Sequence, residues 1–319
     1  MRDRIRALPL RDEMDLIGLG VLLVVELVAY WRFDPSLLTP ASVTILSAQF
    51  LPLILAASGQ TIIMLTGGID LSLGSVLALA MAVFALRAGS GPGTTALAAL
   101  LALAVAVAAG TINGVLVAYA GLPPIIVTLA ASFLWGGVTL ILLPQPGGSV
   151  PQALVDAYNK GWNGLALPAI AIVGAAVLWK LVKTTRLGLA LYAVGGNEHG
   201  AYASGLNTRA IKISGYALAG VFVGLAGIGL AIQTGSADPT IGAPYTLNSI
   251  AASVLGGISF FGGVGRLRGT LLGALLIGLL ANLLLFSGIS SFYQLIVQGL
   301  VLIVAVTAKT FISRERQAS

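Results

Sequence analysis

Asp70-Leu-Ser-Leu-Gly74 and Asp238-Pro-Thr-Ile-Gly242 interrupt an otherwise oily chain, and each opens on an acid where a membrane helix would want none. Asn113 lies 43 positions after the first Asp, and Asn282 lies 44 after the second. Each Asn leads through a short apolar run to a glycine, Gly121 or Gly288. Similar apolar stretches follow, Pro124-Ile-Ile-Val-Thr-Leu129 and Phe292-Tyr-Gln-Leu-Ile-Val297. Residues 44–143 therefore read as a distant copy of residues 211–308. Duplication with polar breaks at matching places is a pattern of transporters built from internal repeats.

The composition sets the solvent. Hydrophobic residues make up 57% of the chain and charged residues 9%, with a mean hydropathy of +0.99. A soluble domain carries about 25% charged residues, so this chain is an integral membrane protein. It has no cysteine and one histidine, His199. That excludes disulfides, thiolate chemistry and multi-His metal sites. The net charge of +6 is spread between apolar spans and forms no stripe, which marks topology and not nucleic-acid binding. Arg2, Arg4, Arg6 and Arg11 precede an apolar core that ends in Trp31-Arg-Phe-Asp-Pro35 without a small-x-small cleavage site. This start reads as a first membrane helix, not a cleaved signal.

A bilayer core about 30 Å thick takes about 20 apolar residues per helix. That ruler predicts an all-α polytopic protein of about ten spans, in one permease domain over residues 1–319. The spans fall near 15–32, 43–66, 71–88, 95–119, 124–143, 165–182, 211–233, 247–264, 270–287 and 292–309. Pro52 and Gly59 predict a kinked or interrupted second span. With both termini cytoplasmic, fourteen basic residues face inside. Only Arg32, Arg87 and Lys160 face outside, which accounts for all 17. The same topology inverts the repeat: Asp70 lies toward the cytoplasm and Asp238 toward the outside. Small residues four apart, Gly110 with Gly114, Gly220 with Gly224 and Gly269 with Gly273, suit close helix packing in lipid.

Two long hydrophilic stretches remain. Residues 144–164 face outside and suit an ordered loop with a short helix. Residues 184–210 face inside and contain Gly195-Gly-Asn-Glu-His-Gly-Ala-Tyr-Ala-Ser-Gly205. Asn197 is placed to cap a helix, Glu198 suits its N-terminus and Gly205 suits its stop. The spacing predicts a helix of about two turns. It would be either a lever for a partner protein or a plain connector.

Gly195-Gly-Asn-Glu198 with Ala201, Ala203, Ser204 and Gly205 resembles the coupling loop of ribose-type permeases of bacterial ABC importers. Gly67-Gly-Ile-Asp-Leu-Ser-Leu-Gly74 resembles that family's other hallmark, and Ala237-Asp-Pro-x-x-Gly242 and Val254-Leu-Gly-Gly-Ile258 are similar to it as well. The resemblance runs from about residue 15 to 309. Gly200 departs from it, since an Ala is usual there, and Gly costs a helix about 1 kcal/mol relative to Ala. The resemblance implies the inner-membrane subunit of an importer for pentoses, other simple sugars or polyols. It implies pairing with a second permease chain, a sugar-binding protein in the periplasm and a partner ATPase that holds ATP and Mg. No cofactor belongs to this chain itself, which agrees with its lack of a phosphate-binding Gly-x-x-x-x-Gly-Lys-Ser/Thr loop. Gly196, Asn197, Glu198, His199, Ala201, Ser204 and Gly205 would then couple to the ATPase.

For the pathway, the candidates are Gln60, Asp70, Ser72, Gly74, Asn113, Asp238, Asn248, Asn282 and Gln294. An intramembrane carboxylate costs about 2.5–3.5 kcal/mol on insertion scales, so both Asp residues belong inside the bundle. Each either caps a helix start, with help from Ser72 or Thr240, or contacts sugar. The amides either bond sugar hydroxyls or glue helices together. Glu26 in the first span is unusual and unassigned. An ion-coupled secondary sugar transporter is the alternative, and the coupling loop is what such a protein would not need. An enzyme lacks clustered carboxylates, and a channel lacks a filter or ring of charge.

Overall fold

Thr39 and Pro40 start the helix on which the rest is built. The Thr39 hydroxyl accepts from Ser42 N at 3.3 Å, and Pro40 fills the first turn, where its missing N–H costs nothing. In the computed structural model, residues 2–37, 39–162 and 165–288 are described, with positions 293, 296, 299, 300 and 303 beyond them. Gln294, and most of the span expected over 292–309, lie outside the described residues.

The helices in chain order are α1 (Arg2–Phe33), α2 (Pro40–Leu65), α3 (Leu73–Arg87), α4 (Pro92–Ala120), α5 (Pro124–Leu142), α6 (Gln152–Lys160), α7 (Leu167–Lys183), α8 (Arg186–Gly196), α9 (Glu198–Ala203), α10 (Thr208–Thr234), α11 (Ala243–Leu255) and α12 (Leu267–Phe286). Among the described residues no strand forms, only two isolated bridges. Among the described residues six helices are long and apolar enough to cross a membrane, and α7 with α8, bent by 76°, would make a seventh. The protein is all-helical and polytopic.

Among the described residues, two of the expected spans are shorter than a full crossing. At 1.5 Å per residue α3 is about 22 Å long and α11 about 20 Å, short of the ~30 Å core. Both follow a non-helical segment that carries one of the two Asp phrases. The span expected at 247–264 is instead α11, ending at Leu255. Apolar residues continue past it, but Gly257, Gly262, Gly263 and Gly265 adopt positive φ and turn the chain. Hydropathy carries on there while helical geometry does not.

Nor is α2 interrupted at Pro52 or Gly59. Pro52 deprives the Ala48 carbonyl of its helical donor, and the buried Tyr158 hydroxyl of α6 approaches that carbonyl at 3.4 Å. At Gly59 an added Cβ would stand 3.1 Å from Ala219 O and Val223 Cγ2, so the glycine serves a helix crossing and not a bend.

At that crossing α2 and α10 run antiparallel: Leu51 lies beside Gly229, Gly59 beside Ala219, and Thr66 beside Gly215. They are the most enclosed of the long apolar helices, 67% and 72% buried. α2 packs on α10, α11 and α12, while α10 packs on α2, α3 and α4. Each of the two helices thus sits among elements from the other end of the sequence. Small residues set these approaches. Gly110 and Gly114 lie against Tyr216 and Ile213, Gly220 and Gly224 against Ala106 and Leu103, and Gly269 and Gly273 against Gly256 and Ala252.

Segments that the basic residues assign to one side also meet at one end. Gly147 pairs with Ala237 through two backbone bonds, and Ser149 N donates to Ala85 O at 3.0 Å. At the opposite end Gly263 N donates to Leu65 O at 3.0 Å, and the Arg209 guanidinium lies 5.1 Å from the centre of the Tyr119 ring.

Candidate substrate pathway and coupling surface

Between α2 and α3 the chain leaves the helix at Gly67, whose φ is +81°, and runs without helical structure to a bend at Leu71 and Ser72. Backbone groups buried without partners would cost several kcal/mol in this setting, and here they are met one by one. The Gln60 amide bridges both backbone groups of Asp70, with its NH2 donating to Asp70 O and its oxygen accepting from Asp70 N, 3.2 Å each. Leu71 N donates to Thr128 Oγ1 at 3.0 Å, and that hydroxyl lies 3.1 Å from Ile69 O. Asp70 Oδ1 accepts from Ser72 N at 2.7 Å and from Ser72 Oγ at 2.6 Å. Asn113 Nδ2 donates to Ser72 Oγ at 2.7 Å, and Trp135 Nε1 donates to Asn113 Oδ1 at 3.1 Å. Asp70 is 5% exposed, and Gln60, Ser72 and Asn113 are fully enclosed.

The second break repeats the local pattern. Asp238 Oδ1 accepts from Thr240 N at 2.8 Å and from Thr240 Oγ1 at 2.7 Å. Neither hydroxyl caps the following helix as expected. Ser72, the N-cap of α3, makes no side-chain cap bond, and α11 starts after Gly242, beyond Thr240. Both hydroxyls turn back to their Asp instead. The closing glycines then meet. A Cβ on Gly74 would strike the Gly242 carbonyl and the Thr246 hydroxyl, and a Cβ on Gly242 would strike the Gly74 carbonyl. Gly74 N donates to Thr246 Oγ1 at 3.0 Å. The two phrases, 168 positions apart in sequence, touch at the starts of the two half-length helices.

The two Asn residues part company. Asn113 is locked into the first break. Asn282 on α12 reaches α2, where its Nδ2 donates to Gln49 Oε1 at 2.8 Å. Asn282 and Asn248 both line a cavity of about 260 Å³ between α2, α11 and α12, together with Gln49 and Tyr245. On α1, one carboxyl oxygen of Glu26 is enclosed without a hydrogen-bond partner among the described residues.

The inner loop folds as its caps suggest. Asn197 Oδ1 accepts from Gly200 N at 2.9 Å and starts α9. Gly205 at φ +86° ends it, with Gly205 N donating to Tyr202 O and Leu206 N to Ala201 O, a Schellman closure. Ser204 Oγ donates to Gly200 O at 2.8 Å. Ala201 is buried and anchors the helix, while Glu198, His199 and Tyr202 are exposed. Glu198 is also tied to Lys212 of α10 at 2.6 Å. Behind α9, Gly195 and Gly196 press on Gly262 and Gly263, and Gly262 presses on Gly67. Glycine-to-glycine contact thus joins the loop to the end of α2 and to the loop after α11.

Of the sequence candidates, Gln60, Asp70, Ser72, Gly74 and Asn113 converge on the first break. Asp238 stands at the second, and Asn248 and Asn282 at the cavity. Thr128, Trp135, Thr246, Gln49, Tyr245 and Lys212 were not singled out. Gln49 carried a signal, as a lone amide in an apolar span like Gln60. Nothing local marked Thr128 or Thr246, whose hydroxyls matter only through distant partners.

Interleaved apolar helices, two half-length helices that begin at polar breaks, and a capped helix braced against one end define a polytopic transport protein. Residues 42–306 match the family described as branched-chain amino acid transport system / permease component, and the chain belongs to it. It is similar to the ribose import permease protein RbsC of Bacillus subtilis (strain 168), 41% identical over 293 residues, 90% of each chain. It is 40% identical to RbsC of Escherichia coli (strain K12), over 78% of this chain and 79% of the relative. It is 33% identical to the D-allose transport system permease protein AlsC of the same strain, over 94% and 93%. No solved structure matches the chain. The protein is a multi-pass inner-membrane permease subunit.

Proposed function

We propose that this permease subunit carries a simple sugar, a pentose such as ribose, another monosaccharide or a polyol, through the membrane of an ATP-driven ABC importer. The family description names branched-chain amino acids, but relatives at 33–41% identity, matched over 79–93% of their own length, are permeases for ribose and D-allose. Among the described residues no charged side chain lines the cavity, which suits a neutral cargo better than a zwitterion. A periplasmic binding protein delivers the sugar, a second permease chain completes the pathway, and a partner ATPase supplies ATP and Mg chemistry. Both termini are cytoplasmic. The two Asp phrases belong to halves 44–143 and 211–308, related by a pseudo-two-fold axis in the membrane plane. Gln60, Ser72 and Asn113 hold Asp70 and the first break in position. Gly196, Asn197, Glu198, His199, Ala201, Ser204 and Gly205 form the face on which the ATPase pushes.

The observation that carries this reading is α9, a short helix capped at both ends and joined through glycine contacts to the first break at Gly67 and to the loop after α11. An ion-coupled transporter has no use for such a lever. The test is reconstitution of the chain with the ATPase and binding protein encoded beside it. Uptake of labelled ribose and D-allose should require both ATP and the binding protein, and Tyr202→Asp, on the exposed face of α9, should abolish it. Uptake by the chain alone under an ion gradient would replace this reading with a secondary transporter.

A further inference from the structure

The cavity between α2, α11 and α12 has the chemistry of a sugar site, and neither break accounts for it. Three carboxamides, Gln49, Asn248 and Asn282, face it with Tyr245, while Phe50 and Leu53 supply apolar wall. Each carboxamide carries two N–H donors and one acceptor oxygen. Asn282 uses one donor on Gln49, which leaves its own oxygen and the Gln49 NH2 available. Among the described residues the Asn248 amide makes no hydrogen bond. Neutral donors and acceptors beside an aromatic ring suit a molecule with hydroxyls on its edge and C–H groups on its face. At about 260 Å³ the cavity lies below the ~300–1,000 Å³ of drug-sized pockets, so its occupant is small.

Position supports the same conclusion. Tyr245 lies in the first turn of α11, directly after Gly242, so the cavity adjoins the contact between the two breaks. Transporters with discontinuous helices bind their cargo at such places. With the N-terminus inside, Gln49 and Asn282 lie in the outer half of the membrane, the side from which a delivered sugar arrives. The corresponding place on the other half is shut: α4 meets α10 through Gly110, Gly114, Gly220 and Gly224, and Asn113 is enclosed.

We infer that this cavity is a sugar-binding site within the permease chain itself, in which Asn248, Asn282 and Gln49 hydrogen-bond hydroxyls and Tyr245 packs against the ring. The inference rests on the sugar-importer reading above. The absence of cysteine allows a direct test. Asn248→Cys and, as a milder change, Ala281→Cys are placed singly in the whole importer in spheroplasts. A membrane-impermeant maleimide is applied from outside with or without D-ribose or D-allose, and Lys160→Cys serves as the outer-surface control. Labelling at 248 or 281 should slow about tenfold with the transported sugar at ten times its Kd, while labelling at 160 stays unchanged. Equal labelling with and without a sugar that the wild type imports overturns the site but leaves the importer reading intact. Reaction only with a membrane-permeant reagent, whatever the sugar, makes the cavity lipid-facing and also overturns it. Failure of the wild-type importer to take up any sugar overturns both.

Discussion

Gly74 and Gly242 mark where two backbones meet with no room for a methyl group between them. In most crowded contacts, enlarging one side can be relieved by shrinking the other. Here both partners are already glycine, and the atoms in the way are backbone carbonyls and, beside Gly74, the Thr246 hydroxyl. Gly74→Ala should therefore destabilise the protein by about 1–3 kcal/mol or more, with no second-site relief from position 242. The thermal midpoint of the detergent-solubilised chain reads this directly. The two Asn residues should behave differently. Asn113→Leu strands Trp135 Nε1 inside the bundle and removes the donor to Ser72 Oγ, which keeps its bond to Asp70, and should cost about 1–3 kcal/mol of stability. Asn282→Leu releases a bond at the exposed Gln49 and should leave the midpoint nearly unchanged while lowering uptake. Equal loss of stability in the two variants would remove the distinction between a clamp and a cavity wall.

Among the elements, α9 is the one whose sequence announces its form. Asn197 and Gly205 are legible as caps because capping is a local interaction, settled within three or four residues. Asn197→Ala should cost the helix about 0.5–2 kcal/mol and reduce ATP-dependent uptake more than it reduces the yield of folded protein. A parallel loss of both would make α9 a structural connector. The half-length helices were less legible. A hydropathy window cannot tell a full crossing from a helix that starts at depth, because both are equally apolar, and the run beyond Leu255 extended the expected span into a glycine loop. The Asp phrases were visible as breaks, but their hydrogen bonds were not. Gln60 finds Asp70 through the chain's return, and Thr246 finds Gly74 only because α11 and α3 meet. Such pairings depend on tertiary placement that no local pattern encodes.

For the whole molecule, the sidedness proposed from the basic residues is one that single cysteines can report. Lys160→Cys on α6 should react with an impermeant reagent in intact spheroplasts, and Tyr202→Cys on α9 only after permeabilisation. Labelling of both from the same side would contradict the topology on which the reading of Asp70 and Asp238 rests. The antiparallel pairing of α2 with α10 has a further consequence, for how the protein is made. α2 packs chiefly against α10, α11 and α12, and α12 is complete only about 220 residues after α2 ends. At typical synthesis rates that is a wait of roughly 10–40 s. During that interval the central helix of the finished protein lies in the bilayer without most of its neighbours, and its Thr61 hydroxyl, which finally meets Ser253 of α11 and Thr270 of α12, faces lipid or a borrowed partner. The nascent first half is thus the stage at which this chain most needs an insertase or chaperone to shelter it.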